Sequence, residues 1–356
     1  MANHKGTKKT NVVRTVLIIL AILAGVSVFV LSMSKPEKEV DPDFDITIQT
    51  EPNENQTEEY DNLEDESRSD SPVSELESLN VDVFKDTDWV HYLLIGLDNR
   101  KDTFEGGRSD ALMIFSVNEK DGRIVLSSMP RDTMVYINGK GYDKITHTYA
   151  YGRAKLLVET VERNFDIDIR HYFTINFAGM EKVVDALGGI PMELTQAESD
   201  HMLSFFEVGG TTAGMNTLTG KQALTYCRIR KIDSDFVRTE RQYKVLLAIY
   251  EKVKAMSPVK YPSLITAMYD YFYTDCTVAE CIDIAQALMS LGVDSIENVK
   301  LINEESGTGR KINGTYYFLV NDMEATMKEW REYMGVDNYT PSQGMVEISD
   351  YLKYNY

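Results

Sequence analysis

The sequence predicts an α/β domain in which helices alternate with strands, carried behind one N-terminal transmembrane helix. Three observations lead there. Short apolar runs bounded by turn-forming residues recur from Trp89 onward. Between and after them, apolar residues repeat at the three-and-four spacing of helices that bury one face. Upstream of both, Thr15–Ser34 is an unbroken run without a charge.

As a helix rising about 1.5 Å per residue, that run matches the roughly 30 Å apolar core of a bilayer. Lys5, Lys8, Lys9 and Arg14 precede it with no acid among residues 1–14, which places this short N-terminus in the cytoplasm and the remainder outside. The apolar core is long and no Ala-x-Ala-like site follows, so an uncleaved anchor over residues 15–34 is expected in preference to a cleaved signal peptide. Residues 35–81 then hold 16 Asp or Glu against three Lys or Arg, the composition of a disordered, self-repelling spacer. That stretch supplies −13 of the formal −19, so overall acidity says little about the ligand of the folded part. A chain this acidic, with no basic stripe and interleaved aromatics, is not expected to bind nucleic acid.

In the domain expected over residues 82–335, Trp89–Leu97 reads as a buried strand whose C-terminal end presents Asp98. Ala111–Val117 and Arg123–Met129 read as two more strands joined by Asn118–Gly122, a hairpin-length loop. Pro130 stops the second and leaves Arg131 and Asp132 just beyond it. Helical spacing begins at Ala154, a strand follows at Tyr172–Phe177, and a helix carrying Met180, Val183, Val184 and Leu187 ends at Gly188–Gly189. Val208–Gly220 is polar and glycine-rich, the composition of a mobile flap. A long amphipathic helix is expected from about Val237 to Ala255, with further helices near 263–273, 278–291 and 322–333 and a strand near 299–302. Residues 336–356 are polar and read as a loose tail.

Cys227, Cys276 and Cys281 show no Cys-x-x-Cys or Cys/His spacing, so no structural zinc is expected. Cys276 and Cys281 are close enough in sequence to bridge outside the cell, but free thiols are the expected state. Gly-x-Ser-x-Gly, His-Glu-x-x-His and Gly-x-Gly-x-x-Gly are absent, and Gly214–Gln222 fails as a phosphate loop because Gln222 stands where Ser or Thr is needed.

Charged residues gather in three places: Asp98–Asp110, Pro130–Asp132 and Arg228–Arg238. Guanidinium groups near carboxylates suit a multiply charged phosphate held by bidentate forks and a metal ion. Asp98 and Asp110, both at strand ends, are candidates to hold one hard cation such as Mg²⁺. Arg228 and Arg230 stand two residues apart, on one side if the segment is extended. Arg238 and Gln242 share a helix face, and Asp235 is placed to cap that helix. Leu224, Tyr226, Cys227 and Ile229 around them favour a buried cluster, which needs an anion or acid to offset its charge.

Leu94–Asp98, Gly107–Asp110, Ser128–Asp132, Lys144–Thr146, Asp185–Gly189, Gly220–Leu224 with Arg228–Arg230, and Asp235–Gln242, in that order, resemble the motifs of the LytR-CpsA-Psr family. The resemblance covers about 90–255; 256–335 fit loosely, and Met129, His147 and Cys227 are mild departures. It implies an α-β-α sandwich with a mixed central sheet and an enzyme on the outer face of the membrane. Such an enzyme moves a glycopolymer from a polyprenyl pyrophosphate carrier to peptidoglycan. It further implies that Asp98 and Asp110 hold Mg²⁺ and that Arg108, Arg131, Lys144, Arg228, Arg230, Arg238 and Gln242 cradle the pyrophosphate. Asp132 and Asp235 are then orienting residues, and Arg108, Asp110, Arg131 and Arg230 the catalytic set, with Asp110 also the side-chain candidate for a general base. A cleft between sheet and helices is expected to take the polyprenyl tail. Two other readings remain open: a hydrolase using the same site with water as nucleophile, and a non-catalytic envelope regulator. Residues 1–14 offer no DNA-binding helix pair, which argues against direct gene control.

Overall fold

Trp89–Leu97 forms strand β1, buried along nearly its whole length, as its continuous apolar run requires of a strand flanked on both sides. The computed structural model describes residues 82–98, 104–229, 261–290 and 297–356, with positions 232, 241, 244, 245, 248, 249, 251, 252 and 255 between them. The expected anchor at 15–34 and the acidic spacer at 35–81 lie outside the described residues. Among the described residues no helix is long and apolar enough to cross a membrane.

After β1 come β2 (Ser109–Asn118) and β3 (Ile124–Met129), a hairpin around Asn118–Gly122, then a second hairpin of β4 (Met134–Ile137) and β5 (Gly141–Lys144). Helix α1 (Ile145–Phe165) is followed by β6 (Ile169–Ile175), α2 (Phe177–Ala186), β7 (Ile190–Leu194), α3 (Gln196–Phe206), β8 (Gly214–Leu218) and α4 (Gly220–Cys227). The C-terminal part carries α5 (Tyr261–Met268), β9 (Tyr273–Thr274), α6 (Val278–Ser290), β10 (Glu297–Lys300), the hairpin β11 (Gly307–Ile312) with β12 (Thr315–Val320), α7 (Met323–Met334) and α8 (Gln343–Asn355). One six-stranded sheet runs β10-β3-β2-β1-β6-β9. It is mixed: β1 pairs β2 antiparallel and β6 parallel.

Alternation along β1 divides the core. Leu93, Ile95 and Leu97 face one layer with Leu157, Val158 and Val161 of α1 and Met327 and Trp330 of α7. Tyr92 and Leu94 face the other, with Met180, Val183 and Val184 of α2 and Ala223 and Leu224 of α4. Helix α1 starts nine residues before the periodicity is readable, because Gly152 and Arg153 leave helical geometry (Arg153 at φ 55°) and break the repeat there.

Two expectations are corrected. Five of the thirteen residues of the Val208–Gly220 stretch form strand β8, zipped to β7 from Ile190↔Leu218 to Leu194↔Gly214, rather than a free flap. Residues 336–356 are not a loose tail. Ser342 accepts from Met345 N–H to cap α8, and Met345, Ile348 and Leu352 repeat at helical spacing and are buried. Asp166, in left-handed geometry at φ 55°, ties the segment down. Its carboxylate accepts from Phe84 N–H at 2.8 Å, Ser342 N–H at 2.9 Å and Tyr339 O–H at 3.0 Å. All three cysteines are free thiols.

Candidate active site

β2 and β3 pair in antiparallel register with Leu112 opposite Met129. Continuing that register by one side-chain repeat sets Asp110 across from Arg131, on the same face of the sheet. The side chains meet: Arg131 Nη1 lies 2.9 Å from Asp110 Oδ2. Arg131 Nε is 3.6 Å from Asp132 Oδ2, and Lys144 Nζ donates to Asp132 Oδ1 at 2.8 Å. The result is a chain of alternating charges, Asp110, Arg131, Asp132 and Lys144, drawn from β2, the turn after Pro130 and the end of β5.

Asp98 sits one residue past β1, and its N–H donates to Arg108 O at 3.1 Å, closing the loop between them. Gly106 and Gly107 sit in the left-handed region, at φ 66° and 85°, where other residues are strained, and so let that loop turn back into β2. Burial pushes the Asp110 carboxyl above its ordinary pKa, the Arg131 and Arg108 charges pull it down, and the Asp98 charge pushes it up. Asp98, Arg108 and Arg131 therefore all act on Asp110. Asp98 and Lys144 are half-buried and Arg108 is exposed.

Asp110 tests whether a divalent cation fits. Thr146 Oγ1 donates to its Oδ1 at 3.3 Å, whereas buried Oδ2 has no donor in hydrogen-bond geometry among the described residues, the Arg131 approach being an ion contact. A buried anionic oxygen without a proper donor, beside a second carboxylate, suits a hard cation that keeps most of its waters. The donor set fits Mg²⁺.

Arg228 departs from the extended geometry expected of it. It is the C-cap of α4 with helical backbone (φ −93°, ψ −3°), and its guanidinium lies 5.5 Å from the Phe206 ring centre. Arg230, Asp235, Arg238 and Gln242 lie outside the described residues. Arg241, described and fully buried, ties down the chain at Ile229. Its Nε donates to Glu198 Oε1 at 2.7 Å, and its Nη1 donates to Ile229 O at 3.2 Å, between Arg228 and Arg230. Glu198 is itself fixed in a capping box with Thr195 at the start of α3. Gly220 is a second positioning device. A Cβ there would meet Glu181 O at 2.0 Å, so only glycine lets α4 pack this closely on α2, and Gly220 N–H donates to Asp185 Oδ1 at 2.8 Å.

Three contributors escape sequence reasoning. Thr146 falls inside the Lys144–Thr146 motif without a role of its own there, and it reaches Asp110 through its hydroxyl. The β11–β12 hairpin comes from a region that fits the motifs loosely, yet Phe318 N–H donates to Asp132 O at 2.8 Å and the Tyr317 ring lies 5.6 Å from Lys144 Nζ. Arg241 falls inside the Asp235–Gln242 motif, where the sequence gives it no role of its own.

The LytR_cpsA_psr family model matches residues 46–332. The TagU transferase of Halalkalibacterium halodurans, named a polyisoprenyl-teichoic acid–peptidoglycan teichoic acid transferase, is 36% identical over 236 residues, 65% of this chain and 74% of that protein. The TagU of Enterococcus faecalis, with the same activity in its name, is 38% identical over 240 residues, 66% and 75% of the two chains. Among solved structures, Bacillus subtilis TagT superposes with a TM-score of 0.53 at 30% identity, covering 72% of this chain and 96% of that one. A TagT structure with bound octaprenyl pyrophosphate lipid gives 0.51 at 30% identity, covering 70% and 91%. The fold, the ordered motifs and these matches agree: the chain belongs to the LytR-CpsA-Psr family.

Proposed function

We propose that this protein transfers a glycopolymer from a polyprenyl pyrophosphate carrier to peptidoglycan, forming a phosphodiester and releasing polyprenyl phosphate. The observation that carries this reading is the Asp110–Arg131–Asp132–Lys144 chain of charges at the strand ends, with Asp98 and Arg108 beside it. Phosphoryl transfer asks a protein chiefly for positioning and for charge stabilisation on the phosphoryl oxygens. Arg131 offers its guanidinium with its own carboxylate contacts already made, so little reorganises when an anion arrives. Lys144 adds a second positive charge, and Asp132 orients both. Arg108, Arg228, Arg230, Arg238 and Gln242 complete the pyrophosphate cradle in this reading, with Asp235 orienting Arg238. Asp98 and Asp110 hold Mg²⁺, which supplies charge neutralisation at the phosphates when bound. A hydroxyl of the wall attacks the glycan-side phosphorus, and polyprenyl phosphate leaves.

In this reading a cleft between sheet and helices takes the polyprenyl tail, on the side where the sheet and helices α2 and α4 present apolar residues to one another. The expected anchor at 15–34 holds the domain on the outer membrane face, where both donor and acceptor reside. Incubating the full-length chain with a lipid-linked oligosaccharide, Mg²⁺ and peptidoglycan fragments tests the assignment. It predicts a glycan–peptidoglycan conjugate. Free phosphorylated glycan as sole product means a hydrolase, and no turnover means a non-catalytic role.

A further inference from the structure

On the far side of β1 from the charged site, three potential metal ligands from separate elements converge. A ring nitrogen of His171 on β6, a carboxylate oxygen of Asp275 after β9 and the Cys276 sulfur all lie within 4.8 Å of one another. Cys281, one turn into α6, interacts with the Cys276 thiol and is the candidate for a fourth donor, outside the 4.8 Å group itself. We propose that His171, Asp275, Cys276 and Cys281 form a structural zinc site.

Chemistry and support around these side chains both favour it. One nitrogen, one carboxylate oxygen and two sulfurs make a four-coordinate set of the kind Zn²⁺ takes. Bonds of about 2.0–2.3 Å at tetrahedral angles put donors roughly 3.3–3.8 Å apart, so on binding His171 Nδ1 and Asp275 Oδ2, now 2.9 Å apart, move apart slightly, and any of the separations, all within 4.8 Å, that exceed this range close up. The ligands are oriented from behind. Asp275 Oδ1 accepts Tyr172 N–H at 3.0 Å while Oδ2 turns to His171 Nδ1 at 2.9 Å. Thr274 Oγ1 accepts Cys276 N–H at 3.1 Å, and Tyr269 O–H donates to Cys276 O at 2.7 Å. The Tyr92 ring stacks on His171 with centres 6.3 Å apart. Such supporting contacts are what hold metal ligands in orientation. Asp275 and Cys276 are buried, whereas the His171 side chain is 19% exposed and Cys281 half-buried, which leaves a path of entry at the sheet edge.

The site is remote from the reaction. His171 is level with Tyr92 in the β1–β6 register, and Asp98 stands six residues further along, about 20 Å away. With Cys281 drawn in as the fourth ligand the site has no open position, and its role is to clamp β6, the two-residue edge strand β9 and α6 together. No local spacing reveals it, because His171 is remote in sequence from the other three donors.

The test is a titration of the full-length chain, with reduced thiols verified by counting, using Co²⁺ and then Zn²⁺ in excess Mg²⁺. Binding of one equivalent of Co²⁺ should give thiolate-to-metal charge transfer and intense tetrahedral d–d bands, both removed by Zn²⁺. Asp98 and Asp110 offer only oxygen, so Co²⁺ held there gives no charge transfer, and the two sites are told apart whatever the fate of the transferase reading. Zn²⁺ should also raise the melting temperature as its concentration rises. Cys276→Ser should abolish the charge-transfer band, and His171→Ala, at the rim, should weaken Zn²⁺ binding at least tenfold with the fold retained by circular dichroism. No charge transfer in the reduced wild-type chain, or unchanged binding in His171→Ala, overturns the proposal.

Discussion

Just past the last pair of the β2–β3 ladder, Arg131 and Asp110 meet at 2.9 Å, with the arginine side chain 13% exposed and the aspartate 1%. The described carboxylates, Asp110 and Asp132, engage one edge each of a guanidinium that carries five donors. The rest of its capacity is available to an anion at the strand ends.

Arg131→Ala should lower transfer by about 10²-fold or more, the usual cost of one preorganised donor. The protein should still fold, because Asp110 keeps the Thr146 hydroxyl as a donor and its strand stays paired with β1 and β3. Transfer rate and circular dichroism measured together check this; wild-type-like transfer contradicts the role given to Arg131.

Arg241→Lys should cut transfer at least tenfold while preserving secondary structure. Lysine keeps a positive charge for Glu198 but lacks the fork that also reaches Ile229 O, so the Arg228–Arg230 segment loses its tether. Arg241→Met should do more, destabilising the fold by about 3–5 kcal/mol, because Glu198 is left as an unpaired buried charge. Denaturant midpoints separate the two effects.

Glu162 makes stability depend on pH. Burial pushes its carboxyl up to about 7 from an ordinary 4.5, against the opposing Ile169 N–H bond to Oε1 at 3.1 Å. A raised folded pKa means that the folded state binds the proton more tightly. The contribution is therefore full below pH 4.5 and is lost as pH rises to about 7. Glu162→Gln keeps the acceptor and removes the titration, so its midpoint should exceed wild type at pH 8 by at most about 3 kcal/mol and match it near pH 4.

Met345→Ala should destabilise the protein by about 2–5 kcal/mol, the cost of removing a fully buried methionine. A change near zero in urea unfolding would mean that α8 does not dock as described.

These cases show what was legible in the chain. β1 was readable to the residue, because a strand covered on both faces needs a continuous apolar run and its ends are fixed by Trp89 and Asp98. The charged set around Asp98–Asp110 and Arg131 was readable because motif order survives in sequence, but its geometry comes from the β2–β3 register. Helix α8 carried its signal in Met345, Ile348 and Leu352, yet its polar composition masked it, and its anchor at Asp166 is remote in sequence. Arg241 and Tyr317 act through packing and through contacts between distant segments, which periodicity does not encode.

The most direct test follows the phosphorus. With a donor carrying isotopic label on the glycan-side phosphorus only, the full-length chain, Mg²⁺ and peptidoglycan fragments should place the label in the peptidoglycan conjugate and release unlabelled polyprenyl phosphate. Label leaving with the lipid, or appearing only in free glycan phosphate, contradicts the account.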